Sequence, residues 1–310
     1  MTIPIFIHPK VVNTIFQEED SRNVMAKDGI EFTTDPKNAV FLIAHRKTLI
    51  NELITTFGSS KKYLLWTHEP KYWVYGEKWA TISKQKIRTI TMRSGEIYQD
   101  NYYYAKIRTG DCRPRAVIPP IDIKRTIVCL ATYFNRGQLV PSKNNPSLEK
   151  LRSEIAMAGH RINKLDIFGR GWPLGFSKGE TRQGSWALAK YKILANYHFN
   201  LCFENTVYPY YCSEKIWQAI YCGCLPIYFG QNTIYEDFPK NSFIDYTDYG
   251  TPKALFDKVD KMTDDEFAER YNKCLNVFQR ALSVGNQSRE KAAKHVARQL
   301  HEIMDAKNRT

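Results

Sequence analysis

The sequence predicts an α/β protein built on parallel sheets, and three observations carry that reading. From Phe199 to Gly230 the chain runs FNLCFENTVYPYYCSEKIWQAIYCGCLPIYFG. An apolar run of strand length, a polar aromatic loop, a helical repeat and a second apolar run are the parts of a parallel β-α-β unit. Elsewhere, short apolar runs at 3–7, 39–44, 62–66 and 126–132 alternate with segments of helical spacing, which extends the pattern to a second α/β layer. The 310 residues, 43% hydrophobic, suffice for a sizeable core in one or two domains.

In chain order, 3–7 is the first strand, 39–44 the next, and 51–57 has helical spacing. The strand at 62–66 is followed by Thr67-His68-Glu69-Pro70. A carboxylate just past a strand end can take the proton of an attacking hydroxyl, so Glu69 is the candidate general base and neighbouring His68 its rival. Pro70 restricts Glu69 towards extended backbone. Tyr102, Tyr103 and Tyr104 either stack on sugar rings or pack inside. The segment 111–125, with Pro114, Pro119 and Pro120, reads as a linker between domains.

After the strand at 126–132, the segment 148–157 is a helix carrying Leu148, Leu151 and Ile155 on one face. It also carries Arg152, whose planar fork suits phosphate oxygens. A strand at 165–168 leads into Gly169-Arg170-Gly171, which is not a nicotinamide fingerprint. A helix at 186–197 precedes the central stretch. There the strand is 199–203, Ser213 is the expected N-cap, and Ile216, Trp217, Ile220 and Tyr221 share a helix face that stops at Gly223. Ligands of such units lie beyond the carboxyl ends of the strands, where the following helix offers unpaired N–H groups and the positive end of its dipole. Lys215 is disfavoured in a first helical turn unless an anion sits there, and Glu214 can accept from a sugar hydroxyl; an ordinary capped crossover is the other reading. Helices are expected at 253–261 and 264–275. The tail at 288–304 is amphipathic, with Ala292, Val296 and Leu300 on one face and Arg289, Lys291, Lys294 and Arg298 on others. It either docks back onto the protein or lies on an anionic membrane.

Composition narrows the function. No stretch approaches about 20 consecutive apolar residues, so no membrane span is expected. The start, MTIPIFIHPK, does not read as a secretory signal. Seven cysteines without a C-x-x-C fit buried thiols in a reducing compartment. The net charge of +13 draws anions, but the basic residues are scattered and no nucleic-acid motif stands out. A cytoplasmic enzyme or a trimmed catalytic domain is the expectation, with general surface charge ranked first and attraction to the inner membrane surface second.

The central stretch resembles the donor-binding signature of the family-10 glycosyltransferases, the α-1,3/1,4-fucosyltransferases. Phe199, Leu201, Phe203, Glu204, Asn205, Tyr211, Ser213, Glu214, Lys215, Ile216, Pro226, Ile227 and Gly230 match its pattern in order. Leu165-Asp166-Ile167-Phe168-Gly169 resembles a further family element, as does Asn241-Ser242-Phe243-Ile244, and the likeness is near-continuous from 126 to about 271. Trp66-Thr67-His68-Glu69-Pro70 is similar to the element that carries the family's base, with the usual serine missing.

The resemblance implies a GT-B-like fold of two Rossmann-like α/β domains facing across a cleft. The expected division is an acceptor domain at 1–118, a nucleotide-sugar domain at 119–278 and an amphipathic helix at 279–310. It implies an inverting transfer of fucose from GDP-fucose to an oligosaccharide or glycoconjugate, at the 3- or 4-hydroxyl of GlcNAc or Glc. Glu69 is then the base, and Arg152, Asn205, Tyr211, Glu214 and Lys215 hold the donor, with Arg136 competing with Arg152 for the diphosphate. The D-x-D metal element of other transferases is missing, so no metal or cofactor is expected to be required, a divalent ion being at most a stimulant. The alternatives are a transferase using another nucleotide sugar, a carbohydrate-binding relative without activity, and a basic nucleic-acid-binding protein.

Overall fold

The apolar runs become strands in a computed structural model of the protein, which describes residues 2–12, 14–68, 79–91, 97–105, 127–134, 147–180 and 186–306. The chain forms two units: Met1–Asp100 with Asn286–Thr310, and Asn101–Gly285.

The first unit contains β1 (Ile3–Ile7), α1 (Glu19–Lys27), β2 (Ile30–Phe32), β3 (Phe41–Ala44), α2 (Lys47–Phe57), β4 (Lys62–Thr67), β5 (Trp79–Ile82) and β6 (Gln85–Thr91). Its six-stranded sheet has the order β2-β1-β3-β4-β6-β5, parallel throughout except for the β5/β6 hairpin at one edge. All four residues of β3 are buried, as a central parallel strand covered on both faces requires. Sequence reading found β1, β3, α2 and β4 but missed α1, β2, β5 and β6, which are short or weakly apolar.

The second unit contains β7 (Ile127–Leu130), α3 (Leu148–Arg161), β8 (Leu165–Phe168), α4 (Trp186–Leu194), β9 (Phe199–Leu201), α5 (Glu214–Tyr221), β10 (Leu225–Tyr228), β11 (Ile244–Asp245) and α6 (Pro252–Lys261). Its sheet is wholly parallel, in the order β11-β10-β9-β7-β8. The expectation of two Rossmann-like α/β units is met. In each, the chain leaves the first strand on one side and returns on the other, so β1/β3 and β7/β9 are the topological switch points. A crevice opens beyond the carboxyl ends of strands at such a point. Gly169 makes part of the second one possible: it closes β8 at φ +127°, and a Cβ there would lie 2.1 Å from the Ala131 carbonyl oxygen after β7.

The partition differs from the expected three parts. Asn101 and Tyr102 belong to the second unit, where the Asn101 amide donates to Thr233 O (2.8 Å) and Asp237 Oδ2 (2.7 Å) and the Tyr102 hydroxyl donates to Asp237. Tyr103 and Tyr104 are buried and meet edge to face, so these two tyrosines pack inside. The expected linker at 111–125 lies outside the described residues. The tail is not a separate helix. It is the end of α7 (Asp264–Ala306), 43 residues long, which begins in the second unit and ends in the first.

Early in α7, Phe278 packs on Trp217 and the Tyr271 hydroxyl donates to Ile220 O at 2.7 Å. Late in α7, Ala292, Ala293, Val296, Ala297 and Leu300 are at most 1% exposed, and the Arg88 Nε donates to Gln299 Oε1 at 2.9 Å. Of the two readings of the tail, docking holds: the apolar face a membrane would take is buried in the first unit. Among the described residues, no helix is long and apolar enough to cross a membrane. The six described cysteines are buried thiols.

Candidate active site

The second switch point is built by three segments. β9 ends at Leu201, and the chain continues through Cys202, Phe203 and Glu204, all buried, before turning at Asn205. The carbonyl of Asn205 accepts from the N–H of Leu148, the first residue of α3, at 3.0 Å. That bond brings α3 beside the β9 end, and one helical turn later Arg152 donates from Nη1 to Phe203 O at 2.7 Å. α5 follows the loop, with Ile216, Trp217, Ala219 and Ile220 fully buried beneath it.

Ser213 stands at the N-cap of α5, as its position predicts, but its side chain does not cap the helix. Its hydroxyl donates instead to Glu204 Oε2 at 2.6 Å, and its N–H donates to Glu204 Oε1 at 2.8 Å. Glu204 is wholly buried and also accepts from Lys215 Nζ at 3.1 Å and the Tyr228 hydroxyl at 3.3 Å. Four donors on a carboxylate are what make its burial affordable. Gly230 belongs to the same arrangement, since a Cβ there would lie 2.5 Å from the Tyr228 hydroxyl.

This changes the meaning of Lys215. Its place in the first turn of α5 signals an anion, and the anion is the protein's own Glu204. Burial works to discharge the ammonium, but Glu204 and Glu214 outweigh it and hold its pKa above the ordinary 10.5. The Lys215 side chain is 19% exposed and its Nζ lies 5.9 Å from the Tyr211 ring centroid. Tyr211 is 4% exposed, while Glu214 and Asn205 are half-buried at the mouth of the loop.

Arg152 is in the opposite state. It is 7% exposed and, among the described residues, has no carboxylate within ion-pair distance; its Nε is buried with no hydrogen-bond partner. A buried guanidinium held by one carbonyl is an uncompensated charge. Arg152 and Lys215 line a common cavity, so all five donor-site candidates fall on α3, the β9 end, the loop or the start of α5.

Glu69 and Arg136 lie outside the described residues. Of the sequence neighbours of Glu69, Thr67 ends β4 and the His68 ring meets Trp66 edge to face at 5.4 Å, its carbonyl accepting from the Tyr98 hydroxyl at 3.3 Å. Among the described residues, no group of three or more His, Cys, Asp or Glu side chains could hold a metal ion. Sequence reading did not give Glu204 or Tyr228 a role of their own. The signal for Glu204 is a carboxylate set directly after an apolar strand and ahead of a lysine at a helix start.

Comparison with known proteins points to one family. A family model described as glycosyltransferase family 10 (fucosyltransferase) C-term matches residues 140–307, more than half of the chain. Alpha-(1,3)-fucosyltransferase B of Drosophila melanogaster is 37% identical over 76 residues, 24% of this chain and 17% of that protein. GDP-fucose protein O-fucosyltransferase 3 of Gallus gallus is 41% identical over 66 residues, covering 21% and 14%. Alpha-(1,3)-fucosyltransferase FucT of Helicobacter pylori is 42% identical over 60 residues, covering 19% and 13%. The matched stretches thus span under a quarter of these relatives' own length. A crystal structure of α1,3-fucosyltransferase with GDP-fucose superposes over 91% of this chain and 90% of that one, with 16% identity and a TM-score of 0.48. With the signature built around the end of β9 and the family model spanning most of the second unit and the long helix, the chain belongs to glycosyltransferase family 10, the fucosyltransferases.

Proposed function

We propose that the protein transfers fucose from GDP-fucose to a hydroxyl of an acceptor glycan, with inversion at the anomeric carbon. The observation that carries the donor half is Arg152, a buried guanidinium with no carboxylate within ion-pair distance among the described residues, at the switch point of a parallel sheet. A diphosphate supplies the missing charge and the planar acceptors that such a fork recognises. The names of the relatives, two α-(1,3)-fucosyltransferases and a GDP-fucose protein O-fucosyltransferase, support fucose as the group moved.

In this mechanism the acceptor hydroxyl gives its proton to Glu69 as its oxygen attacks the anomeric carbon. The bond from that carbon to the diphosphate breaks, and its electron pair leaves on GDP. Arg152 meets the charge that develops there. Lys215, already shared with Glu204, holds the phosphate side of the donor, while Asn205, Tyr211 and Glu214 frame the sugar and its hydroxyls. The neutralising work is assigned to side chains, so no metal is required, and the 3- or 4-hydroxyl of GlcNAc or Glc is the expected acceptor.

The test has two arms. In a thermal-shift panel of nucleotide sugars, GDP and GDP-fucose should raise the Tm more than GDP-mannose or UDP-sugars; preference for another sugar reassigns the donor. With labelled GDP-fucose and a glycan array, Glu69→Gln should lower turnover by about 10²–10⁴-fold while donor affinity is kept. Full turnover in that variant removes Glu69 from the role.

A further inference from the structure

The loop between β9 and α5 holds one residue in an unfavourable backbone state. Tyr210 has φ +57°, in the left-handed region where the side chain of an L-residue crowds its own backbone. Pro209 precedes it, and the Tyr211 N–H donates to Tyr208 O at 3.0 Å. That is the pattern of a type II turn, whose third residue is ordinarily glycine. Among the described non-glycine residues with positive φ, Tyr210 is the one aromatic.

Two bonds to a neighbouring segment hold it there. The Tyr210 N–H donates to Thr233 Oγ1 at 2.9 Å, and its hydroxyl donates to Glu236, 3.1 Å from Oε2 and 3.3 Å from Oε1. Thr233 and Glu236 belong to a single 3₁₀ turn, Asn232–Glu236. The turn is itself fixed. Gln231 Oε1 accepts from the Thr233 N–H at 3.0 Å, and the buried Asn101 amide donates to Thr233 O and to Asp237. Strain of this kind persists only where the surroundings over-determine it.

The effect falls on the next three residues. The Cys212 N–H donates to Tyr210 O at 2.9 Å, and the Ser213 N–H donates to Glu204 Oε1 at 2.8 Å. Tyr211 therefore lies between two anchors, one at Thr233 and one at Glu204, with Lys215 Nζ 5.9 Å from its ring centroid. We propose that Thr233 and Glu236 are positioning residues of the donor site: by holding Tyr210 left-handed they set where Tyr211 stands. Both lie on a different segment from the residues assigned to the donor, and their role there rests on the donor reading above.

Hydrogen exchange of the full chain without donor reads the turn itself, and calorimetry with GDP reads its use. In Thr233→Val/Glu236→Ala the cost at residue 210 loses these two offsets. The amides of Tyr211, Cys212 and Ser213 should then exchange about 5–30-fold faster, and GDP should bind about 5–30-fold more weakly. Adding Tyr210→Gly should restore both, because glycine takes positive φ at no steric cost. Packing or surface charge at 233 and 236 gives no such rescue. If wild type binds no GDP while the exchange change and its rescue by glycine are seen, the donor assignment fails and the placement of Tyr211 stands. Unchanged exchange in the double variant, GDP affinity equal to that of a wild type that binds it, or no rescue by glycine overturns the proposal.

Discussion

The two units share a strand order at their switch points and differ in what they put there. At β1/β3 of the first unit, the residues that follow the two strands are His8 and His45. His8 Nδ1 accepts from the Lys10 N–H at 3.1 Å, and its Nε2 lies 3.8 Å from Glu52 Oε1. Burial, then Arg46 and His8, push the pKa of His45 below its ordinary value, so this ring is neutral at pH 7. At β7/β9 of the second unit stand Arg152, Lys215 and the buried Glu204 that accepts from Lys215. Topology decides where each crevice lies, and the side chains at the strand ends decide what it can hold. Fixed cations suit a fixed anion, whereas a neutral imidazole such as that of His45 suits uncharged hydroxyls.

The sharpest way to break this contrast is at Glu204. Lys215→Ala leaves a wholly buried carboxylate without its cation and should cost about 3–5 kcal/mol, read by urea denaturation. Glu204→Gln combined with Lys215→Met should recover most of that stability yet bind GDP weakly. If the single substitution is silent, the second switch point is not organised around Glu204. Arg152→Ala comes next, with an expected ~10²–10³-fold loss of turnover and a parallel fall in GDP affinity by calorimetry. An unchanged affinity would leave the second crevice no more cationic in function than the first.

Smaller effects separate the units by pH. Because the folded pKa of His45 is depressed, the unfolded chain takes up its proton first as pH falls. The contribution of His45 is therefore present above the ordinary value of 6.5 and is lost as pH falls from there towards the folded value. The drop in Tm between pH 7 and pH 5.5 should shrink in His45→Gln, a group in the first unit only. The pKa of Lys215 is raised instead, so its contribution is complete below 10.5 and disappears only as pH climbs through the folded value. Lys215→Met should thus alter the alkaline limb of the stability profile and leave the region between pH 6 and 9 parallel to wild type. The smallest effect concerns the thiols: burial raises Cys129 to about 11 and moves Cys202 and Cys212 upward too. Native protein at pH 8 should therefore label at none of these three, as read by mass spectrometry.

Much of the second unit was legible because its elements announce themselves locally. The period of Ile216, Trp217 and Ile220, the Ser213 position and the Gly223 stop define α5 within a residue of where it lies. The candidate donor residues were legible through the likeness of the stretch around them to family-10 enzymes. What could not be read was tertiary. A serine at an N-cap looks like a cap whether its hydroxyl meets the helix or a carboxylate nine residues earlier, and only packing decides. Tyr210 carries no local mark of a left-handed backbone, a place where glycine is the ordinary residue. In the first unit, β2 has three residues, too few for an alternation to show. The joining of 264–275 and 288–304 into one helix was hidden by Gly285 and a polar surface between two apolar stretches.

That long helix has a consequence for how the protein is made. Residues up to Asp100 leave the ribosome before the second unit, but the segment from Asn286 that covers Arg88 and the floor of their sheet is translated only after it. At about 5–20 residues per second, the nascent first unit waits roughly 10–40 s with an apolar flank uncovered. The second unit meanwhile is contiguous and can close on its own. Chaperone capture should therefore concentrate on the first unit, and a premature stop near residue 285 should strand it even though every strand of it has been synthesised.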